Sequence, residues 1–382
     1  MNILHIGLVS HFTESMLYQD NYLSELNAQD GHNVVFITDV FIYRDGKLIE
    51  TVECDKVLDN KVRLIRLKYD YIINTFISRK IQKVKKIVKY LNILEPDVIL
   101  YHGLCGYELM DVARYVKNNR DVLFYIDSHE NFNNTAKNII SKLAYKYIHG
   151  FFIKKALPYA KKILYIGYPE KKYIKEMYDI SEDKLEYFPL GGIIIDKEIQ
   201  KKYRQEIIND MSFPNDVIIC SHSGKIDKLK KTDQVIKAFS NVRDNRFRLL
   251  IYGSIQDELK TEINSLIEKD KRIYFLGWKN SNQQERILAA TDLYIQPGSA
   301  SATAQVALCC GCALIVNKEY YLESFRDNVF YADNSKEIEV ILYQIASDIN
   351  VLKNMKEKSY SLATNELDYD KLANRYLHLN EV

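Results

Sequence analysis

Short runs of β-branched and aliphatic residues alternate along the chain with longer stretches of helical periodicity. The opening MNILHIGL predicts a buried strand and residues 17–28 a helix; Gly31 then breaks the chain before a second strand over residues 33–38. Further strands are expected at 62–67, 97–101, 122–126 and 162–166, with helices between most of them. Such alternation predicts a parallel sheet covered by helices on both faces. The pattern pauses at Phe188-Pro189-Leu190-Gly191-Gly192 and a polar helical stretch over 197–210, then restarts at 216–220. Strands recur at 247–252, 272–275, 292–296 and 313–316, which makes two doubly wound α/β domains in series, joined near residue 195. Ligands of such sheets bind at the carboxyl ends of the strands, and two facing sheets would form a cleft.

Composition narrows the function classes. With 382 residues, the chain suits two domains of roughly 150 residues each. Apolar residues at 47% and charged residues at 27% describe a globular rather than a disordered protein. A net charge of +2 excludes a wholesale nucleic-acid coat, and no nucleic-acid partner is expected. Apolar runs such as residues 147–153 fall far short of the ~20 residues that cross a bilayer, and the first residues lack a secretory pattern. Six cysteines, three of them crowded at 309, 310 and 312, do not resemble a disulfide framework, so a reduced cytoplasmic setting is expected.

The near-zero charge hides an asymmetry. Residues 56–175 hold 24 Lys/Arg and 10 Asp/Glu, a local +14, against −12 elsewhere. Residues 71–94 and 131–169 contain no acid at all. The first stretch carries Arg79, Lys80, Lys83, Lys85, Lys86 and Lys89, with Ile81, Val84, Val88 and Leu91 at the spacing of one buried helix face. The second sets lysines 137–162 among aromatics. Solvated helix faces are the plain account. The alternative is that segments 79–89 and 137–162 face an anionic membrane or a phosphate-bearing acceptor, with the protein peripheral at the inner membrane face.

Four segments could carry chemistry. In QPGSASATAQVAL (296–308) a strand ends in a small-residue turn and a helix should start near Ser301. Free N–H groups there would suit an anion, although an ordinary capped helix needs no ligand. In SHSGKIDKLKKTD (221–233) a lysine-dense loop follows the second domain's first strand; it is either solvated or supplies cations to a diphosphate. No Asp-x-Asp motif accompanies it, so a metal-free reading is preferred, with no metal ligands assigned. His129, in YIDSHEN at a strand end beside Asp127 and Glu130, is either structural or bonds a sugar hydroxyl. Cys309-Cys310-Gly311-Cys312 lacks zinc-site spacing and reads as buried packing. Gly7, Gly253 and Gly277, at strand ends, suit tight turns and close approach of backbone to a ligand.

Taken together, these segments resemble the GT-B-fold glycosyltransferases of the retaining family 4 type (glycosyl transferases group 1) over nearly the whole chain. The resemblance rests on MLYQDNYLSELNAQDGHNVVFIT, LEPDVILYHG, YFPLGG, GKIDKLKKTD followed by KAF, LLIYGS, IYFLGW and ATDLYIQPGSASATAQVALCCGCALIV. It implies an α/β GT-B fold, two Rossmann-like domains facing a central cleft. Residues 1–195 would take the acceptor, 196–365 the nucleotide-sugar donor, and a C-terminal helix in 366–382 would cross back to the first domain. It implies a hexosyl-type transfer from a nucleotide diphosphate-sugar to a hydroxyl of a glycan or polyprenyl-linked glycan, retaining and independent of metal or other cofactor, in bacterial surface polysaccharide or glycoconjugate synthesis.

Carried over, Lys225 and Lys230 would grip the donor diphosphate, with Lys231 a rival for the second role. His129 would bond the transferred sugar, and Gly7 would approach the phosphates. Gly253, Ser299, Ser301, Thr303 and Gln305 would complete the donor site. The sequence departs from the family in two places. Its Glu-x7-Glu pair is missing, with Val306 at the second position and Gln305 beside it, and Glu14-Ser15-Met16 stands where a Gly-Gly pair is common. A non-catalytic sugar-nucleotide or glycan-binding scaffold, or a sugar-nucleotide epimerase of the same plan, therefore remain alternatives.

Overall fold

A computed structural model describes residues 1–379 except Ser15, Leu17, Asp45, Gly46 and Lys85, and except the side chains of Thr75 and Phe76. The chain divides into two units, Met1–Pro189 joined by the segment that begins at Tyr369, and Leu190–Asp368.

The first unit is built on strands β1 (Asn2–Gly7), β2 (Asn33–Asp39), β5 (Cys54–Val57), β6 (Arg63–Leu67), β7 (Val98–His102), β8 (Leu123–Ser128), β9 (Lys162–Tyr165) and β10 (Leu185–Tyr187), with β3 (Phe41–Arg44) and β4 (Lys47–Glu50) forming a separate hairpin. The sheet runs β10-β9-β8-β7-β1-β2-β6-β5, parallel except for the edge strand β5. β1 and β7 are apolar almost throughout because helices cover both faces, and they are buried accordingly. Strand order reverses between β1 and β7, and that is where doubly wound sheets open a crevice.

The second unit repeats the plan with β11 (Ile218–Ile226), β12 (Phe247–Ile255), β13 (Ile273–Phe275), β14 (Leu293–Gln296), β15 (Ala313–Val316) and β16 (Phe330–Tyr331), ordered β13-β12-β11-β14-β15-β16 and wholly parallel. Its reversal lies between β11 and β14.

Several expectations shift. The lysine-dense stretch after Ser221 is not all loop, because β11 continues to Ile226 by pairing Gly224 with Gly253 and Lys225 with Ser254. Residues 71–94 do not form one helix. Gln82 takes the left-handed conformation (φ 58°) and separates Thr75–Ile81 from Ile87–Leu94. The interruption resets the helical phase, so Val84, Ile87 and Leu91 are buried while Val88 turns outward. Lys85, Leu17 and Ser15, which entered the sequence reading, lie outside the described residues. The first crossing between units falls at Pro189–Leu190 rather than at 195. Ile195 already packs in the second unit's core, its N–H donating to the Cys309 carbonyl at 3.0 Å. The second crossing falls at 368/369. The helix Tyr369–Arg375 lies on the helix Gln19–Gln29, with Tyr369 stacked on Tyr22 at 4.9 Å.

The three crowded cysteines are buried in an apolar cluster. The helix Ala302–Cys309 ends there, and Gly311 takes φ 84°, the left-handed cap that favours glycine. Burial pushes the Cys312 thiol up to about 12, and it donates to the Leu288 carbonyl at 3.1 Å. Packing accounts for all three.

Candidate functional site

In the second unit the site forms at the strand ends that flank the β11/β14 reversal. β11 ends at Ile226, and Asp227 caps a short 3-10 turn, Lys228–Lys230, by accepting from the Lys230 N–H. Against this turn lies the loop after β14. Gly298 is required there because a Cβ would stand 2.1 Å from the Leu229 carbonyl oxygen, and Ser299 N–H donates to that oxygen at 3.0 Å. Lys230 is thereby folded inward until only 7% of it is exposed. Its Nζ lies so close to Gly224 that a Cβ added at that glycine would be 3.7 Å away.

Burial pulls the Lys230 ammonium below its ordinary pKa, and Asp227 offsets part of that. Among the described residues no carboxylate reaches it within ion-pair distance. A buried cation without an ion-pair partner is costly to fold around. Lys225, one residue before the end of β11, is exposed and also without an ion-pair partner among the described residues. Lys231 is not equivalent, since its Nζ donates to the Asp333 carbonyl at 2.8 Å.

A buried polar ladder supports this loop from beneath. Tyr294 Oη donates to Gln296 Oε1 at 2.7 Å, Gln296 Nε2 donates to the Ser299 carbonyl at 2.8 Å, and Ser223 Oγ meets Tyr294 Oη at 3.1 Å. His222 donates from Nδ1 to the Ile295 carbonyl (2.7 Å) and accepts at Nε2 from Thr232 (2.8 Å). Burial lowers its pKa to about 4, so it is a neutral strut. Sequence reasoning missed this ladder. A glutamine closing an apolar strand was its only visible signal.

Ser301 is the N-cap of the helix Ala302–Cys309, its Oγ accepting from the Thr303 N–H at 3.3 Å. Its own N–H donates to Tyr321 Oη at 2.8 Å. Ala304 N–H bonds the Ser301 carbonyl, which leaves Ala302 N–H without an acceptor among the described residues. The helix start therefore offers fewer open donors than an uncapped end. Thr303 Oγ1 accepts from Ser301 Oγ at 3.1 Å.

Gln305 turns back on its own helix, with its amide nitrogen oriented to donate to the Ser301 (3.0 Å) and Ala302 (3.3 Å) carbonyls. Val306 packs beside the cysteine cluster. Gly253 (φ 129°) lies against Gly224, where a Cβ would be 1.9 Å from a carbonyl oxygen.

In the first unit, Gly7 is closed in by Ser10 and Phe36, and its carbonyl accepts from Thr38 Oγ1 at 2.8 Å. His129, one residue past β8, keeps 43% of its side chain exposed, with Nε2 3.8 Å from Asp127 Oδ2. Behind it runs a buried chain that the sequence did not reveal. Asp127 Oδ2 accepts from His102 Nδ1 at 2.5 Å, and its Oδ1 accepts from the Gly103 N–H at 3.0 Å.

Burial opposes charge on both partners, yet each outweighs it in the other: the His102 pKa ends raised and that of Asp127 lowered. His5, 3.1 Å from His102 Nε2, is held well below its usual value by burial and by the His102 charge, so it is neutral and accepts at Nδ1. Its Nε2–H then faces Tyr376 Oη at 3.4 Å, and Tyr376 donates to Asn27. The C-terminal segment thus joins the polar network under His129.

Residues 204–361 match the family described as Glycosyl transferases group 1. No curated protein matches the sequence at a significant level. Among solved structures, a glycosyltransferase from Rickettsia africae superposes with TM-score 0.70 at 15% identity, covering 99% of this chain and 97% of that one. Anabaena HepE in complex with UDP-glucose gives 0.63 at 12% identity, covering 100% and 99%. Sucrose-phosphate synthase from Thermosynechococcus elongatus gives 0.64 at 12% identity, covering 99% and 98%. Residues 204–361 thus match the glycosyl transferases group 1 family, and the chain, with its two Rossmann-like units, has the GT-B fold.

Proposed function

We propose that the protein transfers a sugar from a nucleotide diphosphate-sugar to a hydroxyl of a glycan or lipid-linked glycan, with retention of anomeric configuration. The observation that carries this reading is the buried Lys230 ammonium, which has no ion-pair partner among the described residues and stands at strand ends within the segment that matches the group 1 family. With exposed Lys225 and the Ala302 N–H it offers counter-charge for a diphosphate, and the same charges would stabilise the departing nucleotide diphosphate as its negative charge develops. These ammonium groups supply that charge without a metal, so turnover should survive EDTA. His129, exposed at the end of β8, would bond a hydroxyl of the sugar being transferred. Retention comes from the family resemblance.

The surface of the first unit supports a lipid-linked acceptor. The helical stretch 139–156 exposes Ile139, Ile140, Leu143, Tyr147, Ile148 and Phe151 beside Lys142, Lys146, Lys154 and Lys155, with no acid from 131 to 169. An apolar face edged by lysines suits insertion at an anionic membrane surface, which would bring the protein beside a polyprenyl-linked acceptor. Among the described residues no helix is long and apolar enough to cross a membrane, so this contact would be peripheral.

The test is nucleotide release from UDP-, GDP- and CMP-sugars with candidate acceptors, with and without EDTA, starting with UDP-glucose because HepE binds it. Acceptor-dependent release that survives EDTA and falls in Lys230→Met supports the reading, and the anomeric coupling of the product tests retention. Binding without turnover would favour the scaffold, which the absent carboxylates and the inward-turned Gln305 keep in play. Conversion of donor without acceptor would favour an epimerase.

A further inference from the structure

The first unit holds a cavity of about 450 Å3 lined from the loops that follow three strands: His11 after β1, Tyr69 after β6 and Cys105 after β7, with Lys80, Gln82 and His149 among the other lining residues. It therefore lies on the carboxyl side of the sheet, where α/β sheets bind ligands. Its walls feel both signs of charge. Lys80 acts on the Cys105 thiol and on His149, and the buried Glu130 carboxyl acts on Cys105 and Tyr145. Charge thus singles out no ligand, and the chemistry lies in the hydrogen-bonding polarity of the lining.

His11 Nδ1 stands 2.6 Å from Oδ2 of Asp39, a carboxylate with no exposed surface. Asp39 is itself fixed, since its Oδ1 accepts from the Phe41 N–H at 3.0 Å and Tyr69 Oη lies 2.5 Å from Oδ2. A carboxylate on Nδ1 keeps the proton there, so the neutral imidazole presents its lone pair at Nε2. That nitrogen has no hydrogen-bond partner among the described residues, and the side chain keeps 20% of its surface exposed. The ring packs edge-on against Phe41 at 5.9 Å and Tyr43 at 6.2 Å, which holds its plane.

His149 has the opposite polarity. Its Nδ1 accepts from the Gly106 N–H at 3.2 Å, and burial, then Lys80, hold its pKa down to about 4, so the neutral ring carries its proton on Nε2. Gln82 adds a buried side-chain oxygen without a partner. Acceptors at His11 and Gln82 and a donor at His149 complement neutral hydroxyls. His11 (φ 52°) and Gln82 (φ 58°) also both hold left-handed backbone, which non-glycine residues rarely adopt and which collects at functional sites.

We propose that this cavity takes a sugar hydroxyl of the acceptor and that His11 is the base that receives its proton, with Asp39 as the positioning residue. The step rests on the transferase reading given above. The hydroxyl oxygen forms a bond to the donor's anomeric carbon while the bond from that carbon to the diphosphate oxygen breaks, and the electron pair of that bond leaves with the nucleotide diphosphate. The hydroxyl proton passes to His11 Nε2, the Asp39 carboxylate balances the imidazolium, and water takes the proton afterwards. Attack on either face of the sugar is compatible with this transfer.

The pH dependence of the cavity falls to His11. Asp39, Tyr69 and Tyr43 adjoin it, and Arg79 lies over the Phe41 ring at 4.4 Å. Glu14, on the same loop, is paired with Lys56 and with Arg66, which also donates to the Asp39 carbonyl at 3.2 Å. Burial keeps Tyr69, Tyr145 and Cys105 protonated and His149 neutral.

The test measures nucleotide release by the full chain from UDP-, GDP- and CMP-sugars, with octyl glucoside and octyl N-acetylglucosaminide as acceptor probes. His11→Gly is the lead variant, because glycine accepts φ 52° without strain. Its kcat should fall about 100-fold with donor affinity unchanged, and added imidazole should restore part of the rate. Wild-type kcat should decline toward acid pH as His11 takes up a proton, and that limb should vanish in His11→Gly. Asp39→Asn should lose at least about 10-fold, because its amide can donate to Nδ1 and send the proton to Nε2. Long-range 15N–1H spectra of histidine-labelled protein read this switch directly, with Nε2 bare in wild type and protonated in Asp39→Asn. Should Asp39→Asn fail to fold, His11→Gly and the wild-type spectrum decide alone. Wild-type kcat in His11→Gly, an acid limb that survives in it, or a neutral wild-type His11 protonated at Nε2 would overturn the proposal and leave the transferase reading standing. A wild type that releases no nucleotide from any pair would overturn the transferase reading and, through it, this step.

Discussion

The two units share one strand order and treat charge at its reversal in opposite ways. Beneath His129 the first unit pairs its buried charges at home: Asp127 with His102, and His102 with a neutral His5 that leans on Tyr376. The second unit buries the Lys230 ammonium with no carboxylate in reach among the described residues. On the proposed reading, the compensated centre suits neutral hydroxyls, and the Lys230 position, which Asp227 offsets only in part, suits a polyanion. The same scaffold serves both because the strand ends fix position while the following loops choose charge.

The largest effect should come from breaking the compensated side. Asp127→Asn strands the His102 imidazolium and should cost ~3 kcal/mol in chemical denaturation. In wild type, Asp127 contributes stability that is present above its unfolded pKa of 3.8 and lost as pH falls. His102, with a raised pKa, contributes stability that is present below 6.5 and lost as pH rises through its folded value. The variant should lose both flanks of that pH profile.

Lys230→Met tests the other side. On the proposed reading donor affinity should drop about 100-fold, because the buried cation assigned to the diphosphate is removed. Thermal stability should hold or rise, since a buried ammonium that Asp227 offsets only in part goes with it. A variant that unfolds instead would mean that Lys230 is structural.

Glu108 extends the contrast to a carboxyl without a cation. Burial lifts its pKa to about 8, so it is protonated at neutral pH, held by the Val84 N–H. The unfolded chain ionises from about 4.5 upward while the native state keeps its proton, so stability falls as pH rises between about 4.5 and 8, then levels. Glu108→Gln should remove that slope and gain roughly 2 kcal/mol at pH 7 in urea melts. The smallest effect belongs to Ser301→Ala, which deletes an N-cap and should cost about 1 kcal/mol with little change in donor affinity. A large affinity loss would instead give the Ser301 hydroxyl a direct donor role.

Much of the fold was legible because buried parallel strands are long apolar runs, as in β1, β2, β7 and β11. The two- to four-residue strands β3, β4, β5, β10 and β16 carry too few positions to form a pattern. Lys230 could be named from the lysine-dense run but not distinguished from Lys231, because the distinction is made by Asp227, Gly298 and Asp333, which the fold brings together from distant positions. The His5–His102–Asp127 chain was hidden for the same reason. Its members stand one to a strand, and only the parallel register aligns them.

The return of the chain at Tyr369 governs the order in which the protein can be made. Tyr369, Leu372, Tyr376 and Leu377 are core residues of the first unit, beside Leu23, Phe36 and Tyr125. A ribosome that has finished Pro189 has therefore released an apolar groove with nothing yet to fill it. The second unit, contiguous from Leu190 to Asp368, can close during synthesis, whereas the first must wait for the last turn of helix to emerge. A stop codon shortly before Tyr369 would thus damage the half of the molecule that was translated first.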